Sequence, residues 1–247
     1  MIDGAKNILI TGGAKGLGAH LARHLGAQGH RVLVLDRTAS RDLALDYHEM
    51  LAEYMTVDLA DWSAVRDCIV RILAKHGGRI DVLINNAAAR AFADFSTFEA
   101  SDIERCIQVN FETPVLLAHE LFPVMKQNGY GRIINIGSRS GLQAYSSGSL
   151  YCSTKNALAV FSESVGSELA ASGHDVTMNA ICPDAFRTRE GQELTGFDDT
   201  LRSVADTVDN LLSSERNGAV IRVSTRRRLI ADAVLALRKH ATWVLKR

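Results

Sequence analysis

The sequence is poor in residues that break or cross-link a chain. Its 247 residues include only three prolines, at positions 114, 123 and 183, and no linker rich in serine and glycine. No internal repeat is present either, so we expect one domain over residues 1–247. The four cysteines are scattered through apolar stretches, without the close pairing of a C-x-x-C or metal site. We therefore expect reduced thiols in a reducing compartment and no metal site.

An excess of charge of either sign is also missing. Lys+Arg and Asp+Glu both number 28, so no overall field attracts nucleic acid or an anionic membrane. The short basic run Arg226–Arg228 neutralises too few phosphates for tight nucleic-acid binding. No segment reaches the roughly 18 apolar residues of a membrane span, and no cationic stretch precedes an apolar run near residue 1. We expect a cytoplasmic protein without nucleic-acid or membrane partners.

Short aliphatic runs alternate with longer segments in which apolar residues recur every three to four positions, such as Leu17, Leu21 and Leu25. This alternation is typical of an α/β fold in which helices cover both faces of a parallel sheet. A similar stripe over Arg228–Leu245 predicts an extra C-terminal helix. The seven predicted strands are Asn7–Thr11, Arg31–Asp36, Tyr54–Val57, Val82–Asn85, Arg132–Gly137, Val176–Ile181 and Ala219–Val223.

A glycine-rich segment, TGGAKGLG over Thr11–Gly18, follows the first predicted strand and opens a helix. Such glycines let the backbone approach a pyrophosphate, whose negative charge the helix N-terminus favours, although a glycine-rich turn alone is weak evidence. Asp36 ends the second strand, where a Rossmann unit carries its ribose-binding acid. Asp58 and the segment NNAA, residues 85–88, follow the next two strands. Because ligands of such sheets bind beyond the carboxyl ends of the strands, we expect these residues to share one crevice.

Tyr151 and Lys155 are one helical turn apart at the start of a helical pattern, so both side chains project from one face. A tyrosine base at neutral pH needs its pKa lowered by about three units, or about 4 kcal/mol, and a neighbouring ammonium can supply much of this. Ser138 follows the fifth strand, from which its hydroxyl can donate to a carbonyl oxygen. Taken singly, such residues are usually surface pairs or caps. Tyr145 has no lysine four positions on, and we reject it as the base.

In combination and order, these motifs resemble the short-chain dehydrogenase/reductase family; they are TGGAKGLG, Asp36, Asp58, NNAA, Asn110, Ser138 and YCSTK, residues 151–155. The resemblance implies a Rossmann-type, seven-stranded parallel sheet in the order 3-2-1-4-5-6-7. It implies an NAD(P)-dependent oxidoreductase that acts on a secondary alcohol or ketone. Tyr151 would be the general acid/base and Ser138 would polarise the substrate oxygen. Lys155 would hold the nicotinamide ribose and lower the pKa of Tyr151, while Asn110 would place a water that relays protons to the lysine.

The resemblance also implies cofactor contacts. Asp58 would meet the adenine, Asn86 the ribose and Thr188 the nicotinamide amide. We expect NAD rather than NADP, because the Asp36 carboxylate accepts hydrogen bonds from the ribose hydroxyls and repels a 2′-phosphate. Lys15 and Arg37 would attract a 2′-phosphate, so use of NADP stays an open alternative. The complete predicted cofactor set is Gly12, Lys15, Gly16, Leu17, Gly18, Asp36, Arg37, Asp58, Leu59, Asn86, Ala87, Tyr151, Lys155, Pro183 and Thr188.

The sequence departs from the family pattern in three places. Asp184 follows Pro183 where relatives carry glycine, Ala88 replaces another glycine, and a basic segment follows the last strand. Two alternatives therefore stay open beside the alcohol or ketone oxidoreductase: an NADPH-dependent 3-oxoacyl thioester reductase, and a catalytically weak nucleotide-binding scaffold or sensor. Relatives also imply a homotetramer or homodimer. Four arginines follow strand ends; they are Arg90, Arg139, Arg187 and Arg189. They either bind a carboxylate or phosphate group of the substrate or are solvated loop residues.

Overall fold

The computed structural model describes residues 4–184 and 199–224. Its strands are β1 (Asn7–Thr11), β2 (Arg31–Asp36), β3 (Glu53–Thr56), β4 (Val82–Asn85), β5 (Gly131–Ile136), β6 (Val176–Pro183) and β7 (Val220–Val223). Its α-helices are α1 (Gly16–Ala27), α2 (Leu45–Met50), α3 (Trp62–Lys75), α4 (Ala100–Ile107), α5 (Thr113–Gln127), α6 (Arg139–Leu142), α7 (Ser149–Ala170) and α8 (Asp199–Leu212). A π-helical segment, Gln108–Glu112, joins α4 to α5.

The strands form one parallel sheet in the order β3-β2-β1-β4-β5-β6-β7, which confirms the predicted topology. The predicted strand limits agree within a residue except in the sixth strand, which runs two residues further, to Pro183. This extension exists because Cys182 and Pro183 pair with Arg222 and Val223 of β7. The predicted C-terminal helix, the Arg226–Arg228 run and Thr188 lie outside the described residues.

Both faces of the sheet are buried, which explains the apolar runs in its strands. Ile8 and Ile10 face one core, shared with α1 and α8, whereas Leu9 faces the other, shared with α3 and α5. The strand order reverses between β1 and β4, so the carboxyl ends of these strands border a crevice of the kind in which α/β sheets bind ligands. Within residues 4–184 and 199–224, no helix combines the length and apolar character needed to cross a bilayer.

Candidate active site

The glycine-rich turn between β1 and α1 is packed too tightly for side chains at two of its positions. Gly12 has a φ of 68°, and a Cβ on Gly18 would lie 2.1 Å from the Gly12 carbonyl oxygen. The first turn of α1 receives no side-chain cap from its N-cap residue, Lys15. Close backbone packing combined with uncapped N–H groups fits the pyrophosphate of a dinucleotide.

Asn86 holds this turn against the end of β4. Its Nδ2 atom donates to the carbonyl oxygens of Thr11 and Gly12 at 3.0 and 2.9 Å, and the backbone N–H groups of Asn86 and Ala87 donate to the Thr11 hydroxyl. Both amide hydrogens of Asn86 therefore have partners within the protein. The structure gives this side chain a role in shaping the turn, and the ribose contact predicted for it stays a prediction.

Asp36 is buried at the end of β2, directly beside the glycine-rich turn. One carboxylate oxygen accepts from the backbone N–H of Ala14 at 2.9 Å, and the other accepts from that of Thr38 at 2.9 Å. These bonds fix the carboxylate, and each oxygen keeps capacity for a further donor such as a ribose hydroxyl. The cations that would favour a 2′-phosphate, Lys15 and Arg37, are both exposed. A cavity of about 230 Å³ lies beside Lys15 and is lined by Ala14, Lys15, Ala19, Arg23, Thr38, Asp42, Leu43, Ala44 and Tyr47.

Asp58 follows β3 and forms a bidentate ion pair with Arg105 that the sequence did not predict. The guanidinium of Arg105, in α4, donates to its two carboxylate oxygens at 2.9 and 3.1 Å. This hydrogen bonding lowers the pKa of Asp58, with help from the Ala60 backbone N–H. The next residue, Leu59, is buried and its carbonyl accepts from Thr113. The adenine contact predicted for Asp58 remains a prediction.

Ser138 is at the start of α6 and Tyr151 is in α7, and these two helices pack against each other. Ser138 lies two residues beyond the end of β5 and caps α6, where its Oγ accepts from the Ser140 N–H at 3.1 Å. Helix α6 packs closely on α7, because Gly141 leaves no room for a Cβ against the Lys155 backbone and its carbonyl accepts from Asn156 at 2.7 Å. The predicted helix bearing Tyr151 and Lys155 is α7.

Two polar groups counteract the effect of burial on the Tyr151 hydroxyl. Burial raises the pKa of Tyr151, and the groups that oppose this rise are the Ser138 hydroxyl, through a hydrogen bond, and the Arg90 guanidinium. The lowering of this pKa by Lys155 stays a prediction. The ring of Phe92 packs beside the Tyr151 ring, with centroids 5.0 Å apart. Neither Arg90 nor Phe92 belonged to the predicted catalytic set, because loop contacts carry no periodic signal.

Lys155 is only 1% exposed, and its Nζ atom donates to the Ile136 carbonyl oxygen at 2.7 Å. The ammonium therefore points to the end of β5 rather than toward solvent. Burial lowers the pKa of Lys155 to about 8. A lysine near its protonation midpoint at mildly alkaline pH is suited to proton exchange with its surroundings.

Asn110 lies in the π-helical segment, a feature often found at functional sites. Its Oδ1 accepts from the Ala89 N–H at 2.7 Å, and its Nδ2 donates to the Ala89 carbonyl oxygen at 3.0 Å and to the Thr154 hydroxyl at 3.1 Å. Asn110 thus clamps the loop after β4 to α7, immediately beside Lys155. The proton-relaying water predicted next to it stays a prediction.

Asp184, the unusual residue after Pro183, is almost fully buried. The Ser224 hydroxyl donates to one carboxylate oxygen at 2.5 Å, while the other lies 3.6 Å from Arg139 Nε and 3.7 Å from Arg222 Nη2. The charge is therefore compensated by two cations, as a buried carboxylate requires. Arg139, one of the four candidate anion-binding arginines, is engaged in this cluster.

Comparisons with known proteins agree with this architecture. The sequence profile described as short chain dehydrogenase matches residues 6–198. An uncharacterized oxidoreductase YxjF of Bacillus subtilis (strain 168) is 33% identical over 187 residues, covering 73% of this chain and 71% of that protein. L-xylulose reductase of Homo sapiens is 29% identical, covering 76% and 74%. D-beta-hydroxybutyrate dehydrogenase of Cupriavidus necator is 31% identical, covering 74% and 71%.

Solved structures share the fold. A 4-hydroxyisoleucine dehydrogenase complexed with NADH superimposes with a TM-score of 0.78 at 21% identity, covering 89% of this chain and 97% of that one. ElxO with NADP bound gives a TM-score of 0.75 at 25% identity, covering 89% of this chain and 97% of that one. Proteins similar to this chain therefore bind either form of the cofactor.

Proposed function

The chain belongs to the short-chain dehydrogenase family, whose members are NAD(P)-dependent oxidoreductases of CH–OH groups, and from this premise we propose that it interconverts a secondary alcohol and a ketone with Tyr151 as the general acid/base. The observation that carries the proposal is the joint placement of Ser138 and Tyr151. Their hydroxyls interact, both residues are half-buried, and both lie on elements that follow the carboxyl end of β5. A carbonyl oxygen at this position can accept hydrogen bonds from both hydroxyls.

When bound, the nicotinamide supplies or accepts the hydride at the substrate carbon. The residues of this chain manage the accompanying proton. In ketone reduction, Tyr151 gives its hydroxyl proton to the carbonyl oxygen while Ser138 donates a hydrogen bond to that oxygen. In alcohol oxidation, the Tyr151 phenolate takes the alcohol proton. Since burial raises the pKa of Tyr151, the protonated form that serves reduction predominates at neutral pH.

We propose NAD as the preferred cofactor. The carboxylate of Asp36 is held in place by Ala14 and Thr38, beside the glycine-rich turn that fits a pyrophosphate. Two like charges 4 Å apart at an effective dielectric of about 20 repel by about 4 kcal/mol, and a remainder of about 1.4 kcal/mol after solvent screening gives about tenfold discrimination against a 2′-phosphate. Lys15 and Arg37 are exposed, so their charges are better screened than that of Asp36.

A cofactor-coupled screen tests the proposal. The purified chain is offered secondary alcohols with NAD or NADP, and ketones, sugars and a 3-oxoacyl thioester with the reduced forms, while the absorbance of the reduced nicotinamide is followed. We expect turnover of at least one alcohol and ketone pair, with higher kcat/KM for the NAD forms. Turnover of the thioester alone, with NADPH, would favour the 3-oxoacyl reductase. Cofactor binding without any turnover would favour the scaffold or sensor.

A further inference from the structure

The loop that follows β4 places Arg90 at a defined position. Immediately before Arg90, both backbone polar groups of Ala89 are held by the side chain of Asn110. Three residues after Arg90, the N–H of Ala93 donates to the carbonyl oxygen of Ser147 at 2.9 Å. The second bond ties the loop to the segment that leads into α7. Arg90 therefore lies on a short stretch of backbone anchored on both sides.

This stretch faces the catalytic tyrosine. Phe92 packs on the ring of Tyr151 at a centroid distance of 5.0 Å, and a Cβ placed on Gly148 would lie 3.3 Å from the Phe92 ring. The positive charge of Arg90 opposes the rise in the pKa of Tyr151 that burial causes. A cavity of about 230 Å³ opens beside the loop, and Arg90 and Phe92 line it together with Asp102 and Arg105 of α4.

Arg90 differs from Arg105 and Arg139, at the same edge of the sheet, in that no carboxylate of the described residues pairs with it; Arg37, after β2, shares this property. Arg105 pairs with Asp58, and Arg139 pairs with Asp184. For Arg90, which is exposed, no carboxylate lies within ion-pair distance anywhere in residues 4–184 and 199–224. Within the described residues, the Arg90 charge thus has no carboxylate partner, and Arg90 lies two positions before Phe92, whose ring packs on that of Tyr151.

We propose that Arg90 binds a carboxylate of the substrate, so that short hydroxy acids and the corresponding oxo acids are the substrate class. This inference rests on the proposed function, because it concerns the same site. A guanidinium matches a carboxylate with two parallel hydrogen bonds. The Arg90 guanidinium carries one positive charge, which favours a monocarboxylate over a phosphate dianion. Arg90 is then a specificity-determining residue rather than part of the proton-transfer machinery.

The test compares each acid with its uncharged counterpart. We would measure kcat/KM for short 2- and 3-hydroxy acids and for their methyl esters, in the wild type, Arg90→Gln and Arg90→Lys. Arg71→Gln is the matched control, because Arg71 is exposed near the far end of α3. Losing Arg90 also changes the surroundings of Tyr151, but that change affects acid and ester alike. The informative quantity is therefore the ratio of the two kcat/KM values.

We expect the wild type to favour an acid over its ester, and Arg90→Gln to lower this ratio by about ten- to a hundredfold, the range for a hydrogen-bonded charge. The loss should fall mainly on KM, Arg90→Lys should retain part of the preference, and Arg71→Gln should leave it unchanged. A wild type that uses esters as well as acids, or an Arg90→Gln variant with an unaltered ratio, would overturn the proposal while leaving the proposed function intact.

Calorimetry separates the two proposals. Butyrate and butyramide are titrated into the enzyme with cofactor, which requires no turnover. Tighter binding of butyrate that is lost in Arg90→Gln supports the carboxylate site even if no substrate of the screen reacts. Equal affinity of butyrate and butyramide, or inorganic phosphate binding more tightly than butyrate, contradicts it.

Discussion

Replacing Lys155 with methionine should make the protein more stable at neutral pH while removing its activity. At pH 7 this buried lysine is charged in both the folded and the unfolded chain, and the folded state bears the cost of burying the charge. A fall in pKa from 10.5 to about 8 corresponds to about 3 kcal/mol. Methionine fills a similar space without charge but cannot donate to the Ile136 carbonyl, which offsets the gain by about 1 kcal/mol. We expect a net gain of about 2 kcal/mol.

The difference in stability between Lys155→Met and the wild type should depend on pH. Because the folded pKa of Lys155 lies below the unfolded one, the wild type gains stability as pH rises from about 8 toward 10.5, where the unfolded state binds more protons. Above that range the lysine is neutral in both states and the cost has disappeared. The stability advantage of Lys155→Met should therefore shrink by about 3 kcal/mol across this window, and most of this change should occur by about pH 10.

Urea unfolding at a series of pH values between 7 and 10 measures this difference. Groups that titrate in both proteins cancel when the free energy of unfolding of the wild type is subtracted from that of Lys155→Met. Lys126→Met, at an exposed lysine on α5, is the matched control and should show no comparable change. A Lys155→Met minus wild-type difference that stays constant over the whole range would refute the claim that burial depresses this pKa.

Three further substitutions test other parts of the site. Asp36→Ala should narrow or reverse the preference for NAD, measured as the ratio of kcat/KM with NAD to that with NADP; a wild type that already favours NADP would show that Lys15 and Arg37 dominate. Gly18→Ala places a Cβ 2.1 Å from the Gly12 carbonyl oxygen, so it should cost about 1–3 kcal/mol of unfolding free energy and weaken cofactor binding in a fluorescence titration. Unchanged affinity would contradict the role assigned to this turn. Asn110→Ala removes the clamp on Ala89 and should cost a similar 1–3 kcal/mol or so, with a raised KM for substrate; a normal KM would mean that the loop is held without it.

The sheet could be predicted from the sequence because its strands are buried on both faces. A run such as Ile8–Ile10 must then be apolar throughout, and seven such runs alternate with helical patterns. The limit of the sixth strand was harder to predict. Its last two residues are in the strand only because β7, about 40 positions later in the chain, pairs with them.

Within the site, motif spacing predicted which residues lie near one another, but not how their polar atoms are used. The spacing of Tyr151 and Lys155 predicted a shared helix face, whereas the direction of the Lys155 ammonium depends on the Ile136 carbonyl, at the end of another element. The placement of Arg90 depends on long-range contacts of the loop that carries it. Those contacts come from Asn110 and Ser147, and neither follows from local periodicity.

The proton-transfer role of Tyr151 is the central claim, and single-turnover hydride transfer in Tyr151→Phe tests it most directly. The rate is measured by stopped flow with the best substrate of the screen, and cofactor affinity is measured in parallel. Removing only the hydroxyl should lower the rate by about 10² to 10⁴ while cofactor affinity changes by less than about twofold. A variant that keeps half of the wild-type rate, with chemistry shown to be rate-limiting, would contradict the assignment of Tyr151 as the general acid/base.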